Sequence, residues 1–267
     1  MRKTEGLTKF SSRALILLIL QSRIFMVELT DRQIKLLKVI IEEYIETAEP
    51  VGSQMLDKKH NLGVSPATIR NEMVKLTQNG FLKQPHTSAG RVPTPMGLKF
   101  YIQNLMQQKE MSVTDEVRVK EQMWDFRQKT DKLLREATKV LADKTHTLAI
   151  STNQDGDIYY AGTANLLDTM EFYDMVMTRS LLSVLDQFDF WSEIFSRERG
   201  DTPFHVVFGE DLKEAYLNNC GLVYTTVSSP KLNCAIGIVG PNRLNFPIVI
   251  PVVLYFGHLL KDMSQSW

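Results

Sequence analysis

The segment 61–94 constrains this chain most, because a helix start, a helix end and a turn-rich stretch follow one another closely there. Ser65 followed by Pro66 predicts the helix start. The serine hydroxyl can accept a hydrogen bond from a free backbone amide, and the proline ring fixes φ near the value of a first helical turn. Gly80 supplies the left-handed residue that commonly follows a helix. The sequence therefore predicts a helix from Ser65 to just before Gly80.

This helix has one apolar face and one small, polar and basic face. Apolar residues recur at spacings of four and three, which predicts a buried face formed by Ile69, Met73 and Leu76. The opposite face carries Ala67, Asn71, Lys75 and Gln78, with Thr68 and Arg70 at its borders. Asparagine can pair with an adenine edge, arginine can reach guanine or phosphate, and lysine can neutralise phosphate. A small residue such as Ala67 lets the helix approach the base edges closely.

A two-stranded hairpin is predicted directly after the helix. Residues 81–83 and 91–92 flank the turn-rich segment 85–90. A polar helix followed by a basic hairpin is typical of the winged helix-turn-helix. Either half alone is more often part of a core, but their order favours DNA binding. The hairpin tip is expected to carry His86, Thr87, Ser88 and Arg91. The predicted DNA-binding residues are Ser65, Ala67, Thr68, Arg70, Asn71, Lys75, His86, Thr87, Ser88 and Arg91.

Residues 29–102 resemble the N-terminal domain of the HrcA family of heat-inducible transcription repressors. The resemblance lies in LTDRQIKLLKVIIEEYIETAEPVGS, VSPATIRNEMVKL and GFLKQPHTSAGRVPTPMGLKFYI. It implies a repressor that binds an inverted-repeat operator upstream of chaperonin and DnaK operons, with chaperonin as a modulator that keeps the repressor active. Because each half-site of an inverted repeat needs its own recognition helix, a homodimer is expected.

Charge supports a local nucleic-acid surface. The net charge of the chain is zero, but the segment 52–108 holds seven Lys or Arg against two acids. The segment 1–25 differs, with a basic start before the apolar run 14–20. No small-x-small cleavage site follows this run, and it is too short to span a bilayer. We interpret Met26 as the natural initiator and residues 1–25 as an extension that is either not native or disordered.

Three parts are predicted after this extension: a winged-helix domain over 26–108, a connecting and dimerisation helix over 109–145, and a C-terminal domain over 146–267. In the first part, helices are predicted from Thr30 to Glu46, with Gln33 completing a capping box, from residue 52 or 53 to Lys59, and from Thr94 to Met106. Four acids should turn the end of the first helix away from DNA: Glu42, Glu43, Glu46 and Glu49. Contact of Lys58 and Lys59 with the DNA backbone and a solvated helix end are equally compatible with the sequence.

The connecting segment, 115–144, contains neither Pro nor Gly, and its apolar residues repeat every 3.5 positions. The repeat consists of Val119, Met123, Phe126, Thr130, Leu133, Ala137 and Val140. Such a period predicts one long helix that packs against a second helix. Two interpretations remain open: the stripe is a dimer seam, or it covers the C-terminal domain.

The C-terminal domain is predicted as a mixed α/β sheet with antiparallel pairs, which makes the chain an α+β protein. Strands are expected near 148–150, 158–161, 204–208, 222–227 and 234–239, and helices over 169–188, 212–217 and 247–263. AGTANLLDTMEFYD, FGED and GIVGPNRLNFPIVIPVV resemble the GAF-like part of the HrcA family. Between Asp155 and Ile158 only a few residues stand where the family generally carries a long stretch with a dimerising insertion, so a truncated GAF-like body is expected.

No catalytic or cofactor-binding pattern emerges, and the chain is not expected to be an enzyme. The five histidines lack metal-ligand spacing, and Cys220 and Cys234 are expected to be reduced core thiols of a cytoplasmic protein. Gly237 and Gly240 are interpreted as a turn, since the nucleotide-binding fingerprint is absent. The alternatives to a DNA-binding repressor are a winged-helix small-molecule sensor and a protein-interaction scaffold.

Overall fold

The computed structural model describes residues 28–197, 202–212 and 214–265. The predicted extension, residues 1–25, lies outside them. The described residues form two compact units, which meet in the chain between Leu105 and Met106.

The first unit consists of helices and one hairpin. Its elements are α1 (Asp31–Thr47), α2 (Ser53–His60), α3 (Pro66–Gln78), β1 (Leu82–Lys83), β2 (Val92–Pro93) and α4 (Pro95–Asn104). Local hydrogen bonds start three of the helices. Thr30 and Gln33 form the predicted capping box of α1, and the hydroxyls of Ser65 and Thr94 accept from backbone amides at the starts of α3 and α4. Helix α1 packs against α3, α4 and β2 to form the core of this unit.

The second unit is an antiparallel sheet with helices. Its helices and strands are α5 (Val113–Trp124), α6 (Thr130–Thr145), β3 (Leu148–Asn153), β4 (Ile158–Ala161), α7 (Met175–Leu185), α8 (Phe188–Ser196), β5 (His205–Phe208), β6 (Cys220–Ser228), β7 (Asn233–Pro241) and α9 (Phe246–Gln265). The strand order is β4-β3-β7-β6-β5, and every neighbouring pair is antiparallel. Short 3₁₀ helices lie at Thr163–Asp168, Met170–Tyr173, Gly209–Asp211 and Ala215–Leu217. The predicted antiparallel mixed fold is confirmed.

The prediction of one long connecting helix is wrong. The segment forms two helices, α5 and α6, which are separated at residues 125–129. Lys144 Nζ lies 2.7 Å from Asp115 Oδ1, so the end of α6 returns to the start of α5. One straight helix would hold these residues about 40 Å apart. At the break, Arg127 donates to the carbonyl oxygen of Trp124 at 2.6 Å, and its guanidinium stacks on the Trp124 ring.

The 3.5-residue stripe is buried within the second unit. Val119, Met123, Leu133, Ala137 and Val140 are all at most 5% exposed. Helix α6 packs on β3 and β4, and α5 packs on α6. The stripe therefore covers the domain, as the second interpretation stated, and the dimer-seam interpretation is wrong.

Three further expectations for this unit need correction. The helix expected over 169–188 is a 3₁₀ turn followed by α7, which starts where Asp174 accepts from the amides of Val176 and Met177. The short helix expected over 212–217 is a 3₁₀ turn at Ala215–Leu217, and a second 3₁₀ turn at Gly209–Asp211 precedes it. Gly237 and Gly240 lie within β7 rather than in a turn, because that strand remains paired with β6 through Pro241.

The tail helix, α9, packs on β6 and α6. Its length and composition would suit a membrane span, but 61% of its most apolar window is buried against the rest of the protein. Its close approach to the sheet depends on Gly257, because a Cβ there would lie 2.6 Å from Cγ2 of Thr225. The apolar tail is thus a core helix of the second unit.

Candidate nucleic-acid interface

Helices α2 and α3 are joined by a tight turn at residues 61–65. Asn61 and Gly63 have φ values of 39° and 72°, so the chain reverses through two left-handed residues. Ser65 then starts α3: its Oγ accepts from the amide of Thr68 at 3.2 Å and lies 3.0 Å from Thr68 Oγ1. Both hydroxyls, predicted as DNA-binding groups, are therefore engaged with each other at the helix start.

The predicted outer face of α3 is exposed. Ile69, Met73 and Leu76 are buried beneath it. The exposed residues of α3 are Ala67, Arg70, Asn71, Val74, Lys75 and Gln78, and we call them the outer face. Val74 was not among the predicted residues, although it is 38% exposed. The spacings of four, three and four from Ala67 through Asn71 and Val74 to Gln78 place Val74 on the central line of this face.

Lys75 lies at the border of the outer face and contacts a buried carboxylate. Its Nζ is 3.1 Å from Oε1 of Glu72, whose Oε2 accepts from Gln33 of α1 at 2.9 Å. Burial alone would raise the pKa of Glu72, but the hydrogen bonds from Lys75 and Gln33 hold it below its ordinary value. The Lys75 side chain stays more than half exposed, so a phosphate could also reach it.

The hairpin tip presents short polar side chains held on an ordered backbone. Strands β1 and β2 pair Leu82 with Pro93 and Lys83 with Val92. Gln84 spans the tip, because its Nε2 donates to the carbonyl oxygens of Thr87 at 2.9 Å and Ala89 at 3.0 Å. The predicted residues His86, Thr87 and Ser88 are all exposed there. The bridging role of Gln84 could have been suspected from its position at the start of the turn.

Arg91 lies at the base of the hairpin rather than at its tip. Its backbone exchanges two hydrogen bonds of 2.9 Å with Val51, and its Nε donates to Thr77 Oγ1 at 3.2 Å. The preceding Gly90 permits this approach, since a Cβ there would lie 2.3 Å from the carbonyl oxygen of Val51. Arg91 thereby connects the hairpin to the end of α3 and to the loop before α2.

The acidic end of α1 contains a buried carboxylate, which sequence reasoning missed. Glu43 is 4% exposed and accepts from Lys59 at 2.8 Å, and His60 Nε2 lies 3.1 Å from it. The hydrogen bond from Lys59 lowers the pKa of Glu43 despite burial. Glu43 is therefore not part of a solvated acidic face but fixes α2 against α1. Lys59 is paired with Glu43 in this cluster. This pairing supports neither contact of Lys59 with the DNA backbone nor a solvated helix end.

The two cysteines lie in the second unit, away from solvent. Cys220 and Cys234 are buried free thiols, and burial raises the pKa of each to about 12. Thiols with such a pKa are protonated at neutral pH and are poor nucleophiles and metal ligands. They act as small core residues.

The helix-turn-helix formed by α2 and α3, followed by the hairpin, has the element order of winged-helix transcription regulators. The family model described as "HrcA protein C terminal domain" matches residues 97–250, which is more than half of the chain. The chain therefore belongs to the HrcA family.

Relatives cover both units. A protein of Symbiobacterium thermophilum named "Heat-inducible transcription repressor HrcA" is 25% identical over 336 residues, covering 88% of this chain and 98% of the relative. A Clostridioides difficile protein of the same name is 42% identical over 127 residues, covering 48% of this chain and 38% of the relative. The first alignment is longer than the 267-residue chain, so part of the relative's length has no counterpart here.

One solved structure shows the same fold. The crystal structure of a hypothetical protein superposes with a TM-score of 0.69 at 19% identity, covering 90% of this chain and 99% of that one. In the present structure, β3 and β4 are joined by a short turn at residues 154–157. This is the place where the sequence was expected to lack the long stretch that the family generally carries.

Proposed function

We propose that this protein is a sequence-specific transcriptional repressor of heat-shock operons, acting as a homodimer at an inverted-repeat operator in the cytoplasm. The observation that carries the proposal is the outer face of α3. It is exposed, and it offers Asn71, Arg70 and Lys75 beside the small Ala67. Membership of the HrcA family, whose relatives bear the name of heat-inducible repressors, supports the same function.

The mechanism assigns separate tasks to the helix and the hairpin. Helix α3 enters the major groove, where Asn71 pairs with adenine and Arg70 reaches guanine or phosphate. The hairpin tip contacts the DNA backbone or the minor groove through His86, Thr87 and Ser88. Ser65 and Thr68 shape the start of α3, and Arg91 holds the hairpin at a fixed distance from it.

The regulated genes and the signal follow from the family resemblance. The operator would control chaperonin and DnaK operons, and chaperonin would keep the repressor in its active form. Unfolded protein at high temperature would then occupy the chaperonin and release transcription. Footprinting on the host's own chaperone promoters, with and without added chaperonin, tests this part. Absence of a footprint on all of them would reject the proposed regulon.

A binding assay tests the site itself. We expect the protein to bind an inverted-repeat duplex from these promoters more tightly than a scrambled duplex in fluorescence anisotropy. Asn71→Ala should reduce this discrimination by about tenfold, since a bidentate pair contributes about 1–3 kcal/mol of base discrimination. The exposed Gln103 of α4 provides the matched control, because Gln103→Ala should leave the ratio unchanged.

Equal affinity of the native protein for both duplexes would instead favour the protein-interaction scaffold. A salt series separates the roles further. Lys75→Ala should weaken binding to every duplex and flatten the salt dependence, because the lysine would neutralise phosphate.

A further inference from the structure

The outer face of α3 contains one apolar side chain that the proposed function does not use. Val74 is 38% exposed, whereas the other apolar residues in the middle of the helix, Ile69, Met73 and Leu76, are at most 3% exposed. Valine is a poorer helix former than alanine, and at an exposed position packing does not recover the difference. Because 38% of Val74 is exposed, core packing accounts for a valine at this position only in part.

The neighbours of Val74 define what could contact it. Asn71 lies three residues before it and Arg70 four residues before it, both exposed on the same side of the helix. Ala67, one turn further back, has no side chain that would hold the helix away from a duplex. Val74 lies beside Asn71 and Arg70, which are suited to contact base edges. When the helix enters the groove, the methyl groups of Val74 therefore face the base edges as well.

The major groove offers one apolar group, the C5-methyl of thymine. We infer that Val74 is a specificity-determining residue, and that its methyl groups contact a thymine methyl in each half-site. The inference rests on the proposed DNA-binding function and adds a base preference to it. Asn71 selects adenine by hydrogen bonds, and Val74 selects thymine by apolar contact.

Helix geometry gives the position of this thymine. Asn71 and Val74 are about 4.5 Å apart along the helix axis, and successive base pairs are separated by about 3.4 Å. The thymine should thus lie within about one or two base pairs of the adenine paired with Asn71.

Uracil replacement tests the contact, because deoxyuridine differs from thymidine by this methyl alone. The full chain first selects duplexes from a random-sequence library, and each thymine of the selected duplex is then replaced singly by deoxyuridine. We expect one replacement per half-site to weaken binding by about three- to fivefold, the effect of burying about one methyl group. In Val74→Ala the same replacement should have no effect.

Two further variants complete the test. Val74→Thr keeps one methyl group and should retain part of the uracil effect, while Val113→Ala, at an exposed valine of α5, should behave like the native chain. A uracil effect that is absent at every thymine, or that persists in full in Val74→Ala, would overturn the inference while leaving DNA binding intact. Failure to enrich any sequence would count against the proposed function itself.

Discussion

Single side chains in the first unit divide into those that hold the helices in place and those left free on the surface. Glu43 belongs to the first kind, because Lys59 and His60 of α2 both converge on its buried carboxylate. Asn71 and Val74 belong to the second, since both are exposed on α3. Substitutions in the first group should act on stability, and substitutions in the second should act on DNA binding.

Glu43→Gln should destabilise the native state at neutral pH by about 1–2 kcal/mol, because the charged hydrogen-bond acceptor is lost. The loss stays this small because Lys59 is half exposed and its ammonium can be rehydrated. The pKa of Glu43 is lowered in the folded state, so its contribution is present above the ordinary value of 4.5 and is lost as the pH falls through the folded pKa. The difference between native chain and variant should therefore shrink below pH 4.5.

Urea unfolding between pH 3 and pH 8 measures this difference. Glu46→Gln is the matched control, since Glu46 is largely exposed and lies 3.5 Å from the same lysine. Surface ion pairs of this kind contribute little. Identical pH profiles for the two variants would refute the assignment of Glu43.

At the scale of elements, close backbone approach fixes the central strands of the second unit. Gly237 of β7 lies opposite Tyr224 of β6, and a Cβ at Gly237 would lie 2.4 Å from the carbonyl oxygen of Val223 and 2.5 Å from Cβ of Tyr224. Tyr224 is fully buried and donates from its hydroxyl to the carbonyl oxygen of Ile194 at 3.2 Å. The missing side chain at Gly237 leaves room for this tyrosine.

Gly237→Ala should therefore destabilise the second unit by about 2–3 kcal/mol, because added atoms in a packed core force the strands apart. Differential scanning calorimetry would show this as a lower midpoint for that unit. Gly52→Ala, in the first unit, serves as the control: a Cβ at Gly52 meets no atom within 4 Å, and the midpoint of the second unit should not move. An unchanged midpoint for Gly237→Ala would show that the strands adjust at no cost.

At the scale of the whole molecule, the proposed inverted-repeat operator would require two copies of the chain, and the 3.5-residue stripe is buried within the second unit and cannot join them. The second unit exposes another apolar set, which we call the apolar segment: Leu167, Met170, Tyr173, Met175 and Val176. These residues lie on the 3₁₀ turns after β4 and at the start of α7. All five fall within the ten residues 167–176, and exposed apolar residues that cluster in this way are typical of interaction sites. We propose the apolar segment as the dimer contact.

Met175→Lys combined with Val176→Lys should shift the protein from dimer to monomer in sedimentation equilibrium. The capping of α7 by Asp174 uses backbone amides and should survive the change. The variant should lose most of its affinity for the complete inverted repeat but retain its weak affinity for one half-site. Val117→Lys, at another exposed valine, should remain dimeric. A variant that remains dimeric and binds normally would exclude the apolar segment as the contact.

Local chemistry alone determined much of the first unit. Thr30, Ser65 and Thr94 start their helices through hydrogen bonds that span three residues, and Gly80 follows α3 with the expected positive φ of 82°. The exposed face of α3 followed from helical periodicity. Such features are readable from the sequence, because the interacting groups lie within one helical turn of each other.

Only the tertiary structure decided the features that depend on residues far apart in the chain. The sequence could not show that Lys144 returns to Asp115, that the 3.5-residue stripe is covered within its own unit, or that Glu43 is buried. It also missed α8, whose Trp191 is buried and donates to the carbonyl oxygen of Val184. A periodic stripe predicts that one face of a helix will be buried, but it does not identify the element that covers this face. The covering element depends on which distant parts of the chain pack together.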